Sequence, residues 1–253
     1  MAYVLTLIYA FLLFCMMVII HEFGHFISAR ILGVKVNEFS MGMGPAIWKK
    51  QKGETLYAVR LFPVGGYCAL EGEDEDGDGK DTDPRSFVNQ SYPNKILILM
   101  AGSFMNLVFC VTIMIIVYMC LKVGPLKAVN LALGTTGMVI TSIFSGLKML
   151  LSGAATGDDV MGIVGIAGVV SEQAKLGALD VSYLMAILSA NLAVMNMLPI
   201  PALDGGRVLL TVIRWITGGR LSGKAEAIIN AVGMVLLVVL MIVLVVKDTI
   251  RFF

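Results

Sequence analysis

The chain has 253 residues, 58% of them hydrophobic and 15% charged, with a formal net charge of +1 and a mean hydropathy of +0.87. Soluble domains carry about 25% charged residues, so this composition excludes an ordinary soluble domain and points to the bilayer. A net charge near zero says nothing in favour of nucleic acid, and none is expected as a partner.

A membrane-spanning helix needs roughly 20 mostly apolar residues. Four stretches qualify, at about 3–27, 96–121, 183–203 and 228–246. The first has no Lys or Arg before it and no small-residue cleavage site after it, so it reads as a retained helix and not a signal peptide. Residues 34–70 alternate apolar and polar types between Gly and Pro. Within them "VKVNEFS" and "TLYAVRL" read as strands, with Lys52-Gly53 at the turn of a hairpin. The fold class expected is a polytopic α-helical membrane protein. It has about four transmembrane helices, with a small membrane-associated β-sheet after the first, in one domain covering 1–253.

Residues 71–83, "EGEDEDGDGKDTD", hold eight acids. Asp74, Asp76, Asp78 and Gly79 match the first half of an EF-hand loop, but Arg85 stands where the bidentate Glu belongs and no helix pattern precedes it. A solvated acidic loop is expected, with weak calcium binding the alternative. In the second span, "AGSFMNLVF" places small residues, which let helices approach closely, beside Asn106, which needs a partner in hydrocarbon. Residues 137–151 carry Ile140, Ile143, Phe144, Leu147, Leu150 and Leu151 on one face and Thr141, Ser142, Ser145 and Lys148 on the other. At this length the pattern suggests an amphipathic interfacial helix. Residues 28–95 hold nine Lys/Arg and 205–227 four, against six in 122–180 and the C-terminal tail. The positive-inside rule then puts the β-region and the 205–227 loop in the cytoplasm.

Against this apolar background His21, Glu22 and His25 stand out, and no other histidine exists in the chain. Spaced i, i+4, the two imidazoles share a helical face and offer two nitrogens to a zinc ion, while Glu22 is placed to take a proton from the metal's water. The structural alternative is a pair of histidines satisfied inside a helix bundle. Ionisable residues in a membrane segment cost roughly 2.5–3.5 kcal/mol on insertion scales, which favours function. A third ligand is required. The four cysteines (Cys15, Cys68, Cys110, Cys120) lie far apart and read as small buried hydrophobes. Asp204, in "NMLPIPALDGG", follows Pro199 and Pro201, which break the third span, and broken backbone at membrane depth is tolerated where it lines a cavity. His21 lies ~27 Å along its helix from Tyr3 and Asp204 ~30 Å from Tyr183 at 1.5 Å per residue, so parallel helices would bring them to one depth. The alternative for Asp204 is an N-cap for the next helix.

"HEFGH" in the first span with "NMLPIPALDGG" in a late one resembles the site-2 protease family of intramembrane metalloproteases. "FSMGMGP", "FPVGGYCALEGEDE", "DPRSF" and "AGSFMN" are similar to its branch containing bacterial regulator of sigma-E protease. The resemblance implies zinc held by His21, His25 and Asp204, Glu22 as general base, and Asn191 and Asn196 holding substrate or the developing oxyanion. It implies that the segment Met41, Gly42, Met43 and Gly44 dips into the membrane and presents a strand to an unwound substrate helix. The substrates implied are single-pass membrane proteins, cut within the bilayer of a cell inner or plasma membrane by a multi-pass enzyme whose site faces the cytoplasm. Two departures stand out. The PDZ domain common in this branch has no room between Lys122 and Gly137, and "GIVGI" at 162–166 replaces the family's G-P-x-G-I. A zinc transporter or channel, or an inactive helix-binding homologue, are the rival readings; one metal cluster and the intact Glu22 weigh against them.

Overall fold

The computed structural model describes residues 2–73, 83–154 and 161–252. Most of the acidic stretch 71–83, including Asp74, Asp76, Asp78 and Gly79, lies outside the described residues. In chain order the elements are α1 (Ala2–Ile31), β1 (Val36–Lys52), β2 (Thr55–Leu70), a 3-10 turn (Phe87–Asn89), α2 (Tyr92–Cys120), α3 (Pro125–Leu151), α4 (Ile163–Leu176), α5 (Ala178–Asn196), α6 (Asp204–Ile216) and α7 (Gly223–Phe252).

Among the described residues five helices are long and apolar enough to cross a membrane, α1, α2, α3, α5 and α7, one more than the roughly four expected. The additional one is α3. The separate amphipathic helix expected at 137–151 is the second half of this 27-residue helix. Gly124-Pro125 and Gly134 suggest a connection in the sequence. However, Pro125 occupies the first helical turn, where its missing N–H costs nothing. The helix's polar residues also find partners: Thr135 bonds Tyr118 at 2.8 Å and Thr136 lies 3.5 Å from Cys110 Sγ. The expected third span also ends early, at Asn196 instead of 203, because Pro199 and Pro201 forbid helix.

The chain forms two compact units. One comprises 1–14, 107–194 and 235–253. Its packing depends on small residues: Ala132, Ala186 and Ala190 are fully buried around Cys110 and Met114, and Ala10, Leu13, Ala174, Val181 and Met185 form a second cluster. Asp248, buried in α7, accepts the N–H groups of Gly162 and Gly165 at 2.9 and 2.8 Å, satisfying two buried donors at the start of α4. Ile163 is the first residue of α4, the position at which proline is tolerated. "GIVGI" therefore serves where G-P-x-G-I would, since neither bond uses the N–H of residue 163. Asp248→Ala, which strands two buried donors, should lower stability by about 2 kcal/mol or more, read as the thermal-unfolding midpoint in detergent. An unchanged midpoint would show that this carboxylate is dispensable.

The other unit comprises 15–106 and 195–234. Its core gathers Ala29, Val34, Val36, Leu70, Phe87, Ile98 and Leu99, so the end of α1, the sheet and the start of α2 share one interior. The β-region forms as expected, a two-stranded antiparallel sheet turning at Gly53–Glu54, with Gly53 at φ +63°. Both strands are long and irregular. Glu38 to Met41 face Ala69 to Gly66 on one side and Leu56 to Val59 on the other, and Ala46 to Lys52 continue outward beyond Arg60 to Thr55. The end of the sheet opposite the Gly53–Glu54 turn exposes Met43, Ile47, Trp48, Leu61 and Phe62.

Candidate metal centre

The end of α1 and the start of α6 bring His21, His25 and Asp204 together within the second unit. His21 Nε2 and His25 Nε2 are 3.3 Å apart, and Asp204 Oδ2 lies 3.1 Å from the first and 3.5 Å from the second. That oxygen is buried, and no hydrogen bond of acceptable geometry reaches it. Three acceptor-capable atoms thus converge. Ligand atoms about 2.0–2.1 Å from a tetrahedral zinc stand about 3.3–3.4 Å apart, so the trio has the spacing of three ligands on one ion.

Each donor is held from behind. His25 Nδ1 donates to the carbonyl of Ile98 at 2.8 Å, which fixes the tautomer with Nε2 unprotonated. His21 Nδ1 faces the Asn106 amide at 3.2 Å. The atom placed there is Asn106 Nδ2; exchanging the two ends of the amide, which have the same shape, would let Nδ1–H donate to Oδ1 and leave Nε2 an acceptor. The partner that Asn106 needs in hydrocarbon is therefore His21. Asp204 is the first residue of α6, and the cap position belongs to Leu203. Its carboxylate is not used as an N-cap and turns to the histidines instead. Gly205 and Gly206 make this possible: a β-carbon on either would stand 2.3 or 2.1 Å from the backbone of Met197 or Ile200.

Helix α2 approaches the histidines through glycine. A β-carbon on Gly24 would stand 2.3 Å from the carbonyl oxygen of Ala101, and one on Gly102 would stand 2.4 Å from His25 Nε2. The small residues of "AGSFMN" therefore form the floor of the site.

A cavity of about 370 Å³ opens beside the cluster. His21, Glu22, His25 and Asp204 line it together with Tyr67, Cys68, Ala69 and Leu70 of β2. Glu22 and Cys68 line this cavity together, and Gly66 brings the strand close enough that a β-carbon there would touch Glu22 Cγ at 3.4 Å. Burial, with Glu22 nearby, raises the Cys68 thiol pKa and keeps it protonated. Glu73 and Arg207, paired at 2.6 Å, close one side of this cavity and also line a neighbouring one of about 430 Å³.

The other predicted residues fall as follows. Asn196 Nδ2 lies 3.3 Å from His21 Nε2. Asn191 is half-buried on α5 within the first unit. Met41 to Gly44 do not line the cavity; they form the irregular stretch that pairs Met41 with Gly66. Sequence reasoning did not single out Tyr67 to Leu70, Gly102, Glu73 or Arg207. Only the small-residue run in the second span hinted at Gly102.

A helical membrane protein with two imidazoles and a carboxylate converging next to a further acid has the donor set of a metallohydrolase. The profile of peptidase family M50 matches residues 9–240. The chain belongs to that family, the site-2 protease family, and is a membrane metalloprotease. It is 28% identical to a candidate zinc metalloprotease of Clostridium acetobutylicum over 334 aligned positions, covering 97% of each chain. It is 29% identical to another of Clostridium perfringens, covering 96% of this chain and 98% of the relative. Zinc metalloprotease Rip1 of Mycobacterium tuberculosis is 28% identical over 85% of this chain and 54% of its own length.

Proposed function

We propose that this protein hydrolyses peptide bonds within transmembrane segments of membrane-protein substrates, using one zinc ion held by His21, His25 and Asp204. The observation that carries this reading is the buried, unsatisfied Asp204 Oδ2 between two imidazole nitrogens. Zinc bound there would lower the pKa of a water toward about 7 and polarise a carbonyl. Glu22 is the general base: it takes the proton as the carbonyl is attacked and returns it to the leaving amine. Asn196, beside His21, would hold the substrate carbonyl, and a substrate-holding role is proposed for Asn191 as well.

Substrate helices hide their peptide bonds, so the scissile segment must unwind. The strand that receives it is Tyr67 to Leu70, which flanks Glu22. Met41 to Gly44 support that strand, and the exposed apolar end of the sheet around Met43, Trp48 and Phe62 enters the lipid. Substrates are single-pass proteins handled in regulated intramembrane proteolysis, such as anti-sigma factors or signal-peptide remnants. The enzyme sits in a cell inner or plasma membrane with its site toward the cytoplasm, the side that the Lys/Arg distribution favours. No PDZ domain is assigned: α2 and α3 are joined by Leu121–Gly124 alone, and 334 aligned positions against 253 residues leave at least 81 positions of the relative without a counterpart. A transporter would need donors at several depths, whereas the described residues contain one three-residue donor group.

The test is metal analysis of purified protein together with cleavage of a generic transmembrane substrate in liposomes. One zinc per chain and cleavage inside the substrate helix are expected, and Asp204→Asn should weaken both. Full zinc occupancy in the Asp204→Asn protein would remove Asp204 from the ligand set.

A further inference from the structure

The edge strand beside Glu22 is held by one side chain from elsewhere in the sheet. Tyr67 to Leu70 pair with β1 on one side, Ser40 opposite Tyr67 and Phe39 opposite Cys68, and no strand among the described residues pairs with the other. Arg60 reaches across from the middle of β2. Its Nε donates to Ser40 Oγ at 2.9 Å, its Nη1 to the Gly44 carbonyl at 2.7 Å, and its Nη2 to Glu38 Oε1 at 2.6 Å and to the Tyr67 hydroxyl. The guanidinium also lies 5.1 Å over the Tyr67 ring.

Four acceptors on three separate stretches are thus tied to one planar group. Glu38 and Ser40 belong to the central stretch, Gly44 to the irregular turn and Tyr67 to the edge. The turn gives no rigidity of its own, because Gly42 and Gly44 both sit at positive φ and the register shifts repeatedly between Met41 and Trp48. A strand whose register is only weakly specified slips. In a protease that reads a substrate through backbone bonds, a slip of the receiving edge moves the bond presented for attack.

We propose that Arg60 is a positioning residue that sets the height and register of the edge Tyr67–Leu70 against Glu22, and thereby selects which peptide bond of an unwound substrate is cut. This rests on the reading of the site as an intramembrane protease that pairs substrate with that edge. Arg60 does not line the cavity that holds the metal donors and Glu22; it acts through Tyr67 and Ser40. Lysine keeps the charge but cannot serve four acceptors in one plane, so Arg60→Lys separates geometry from electrostatics.

The experiment measures Arg60→Lys and Ser40→Ala against the unsubstituted protein. Cleavage products of a single-pass substrate are mapped by mass spectrometry, KM and kcat are determined, and zinc content and thermal midpoint are recorded. Arg60→Lys should keep its zinc and midpoint and hold kcat within about twofold. KM should rise about tenfold, the weight of one charge-assisted hydrogen bond, and the cut should spread over neighbouring bonds. Ser40→Ala, which removes one of the four arms, should lie between the two. A single unshifted cut with unchanged KM overturns the proposal, as does a parallel loss of zinc, midpoint and kcat. Binding of an extended apolar peptide is measured in parallel to Glu22→Gln protein with and without Arg60→Lys. A tenfold loss there supports the role of Arg60 even if no substrate is cut, and equal affinities overturn it. Failure of the unsubstituted protein to cut any transmembrane substrate would instead count against the protease reading.

Discussion

Glu22→Gln should retain one zinc per chain and lose cleavage by about a thousandfold, within the range general acid–base groups contribute. The substitution is nearly isosteric. The glutamine side chain fills the same space against β2 beside Gly66 and Cys68, so the edge strand keeps its place. Neither imidazole nor Asp204 is altered, and the metal donors remain buried at their present separations. What disappears is a group able to take a proton and give it back. Zinc content by metal analysis and cleavage of a single-pass substrate in liposomes check the two halves separately. Cleavage at the unsubstituted rate would remove Glu22 from the base role, and zinc loss would show that Glu22 shapes the donor set. The same variant, expressed in its native cell, should hold uncut substrates long enough to identify them.

The parts of this site legible in the sequence are those whose chemistry is local. His21 and His25 share a face because of helical periodicity alone, and a charge-bearing trio at the end of an uncharged stretch stands out in any context. Asp204 was legible because Pro199 and Pro201 end the helix just before it, and the structure ends α5 at Asn196 for that reason. Asn106 announced a need but not a partner: nothing local indicates that the amide meets His21, 85 positions earlier. Helix α3 was misread for the opposite reason. Gly124-Pro125 and Gly134 look like punctuation in water, whereas proline opens helices readily and glycine is frequent in membrane helices. The sheet was the least legible part. Its hairpin turn could be placed, but the pairing of one stretch of β1 with two stretches of β2 depends on bulges fixed by tertiary contacts. That pairing decides that Tyr67 to Leu70, and not Met41 to Gly44, line the cavity.

Gly102→Ala should abolish cleavage through the metal donors, although residue 102 carries no chemistry. The added β-carbon would stand 2.4 Å from His25 Nε2 and 2.9 Å from His21 Cε1, well inside contact distance. Helix α2 can relieve the clash only by backing away from α1, which opens the close contact of Ala101 and Gly102 with Gly24. The histidine rings are also pinned: His25 by the Ile98 carbonyl and His21 by Asn106. Moving His25 breaks its Nδ1 bond and swings Nε2 away from Asp204, so one methyl group disturbs two of the three donors. Disturbing only the outer partners of a metal ligand costs about 10- to 100-fold in affinity, and displacing a ligand should cost at least the upper end of that range. The matched control is Gly134→Ala, at a helical glycine with nothing within 4 Å of the added carbon; it should keep both zinc and activity. Zinc titration of the two purified variants, with cleavage measured at each metal concentration, distinguishes weakened affinity from misfolding. Partial recovery of Gly102→Ala cleavage at high zinc is expected if the protein is folded and its donors are merely displaced. Full zinc affinity and activity in Gly102→Ala would mean that α2 is not the floor of the site.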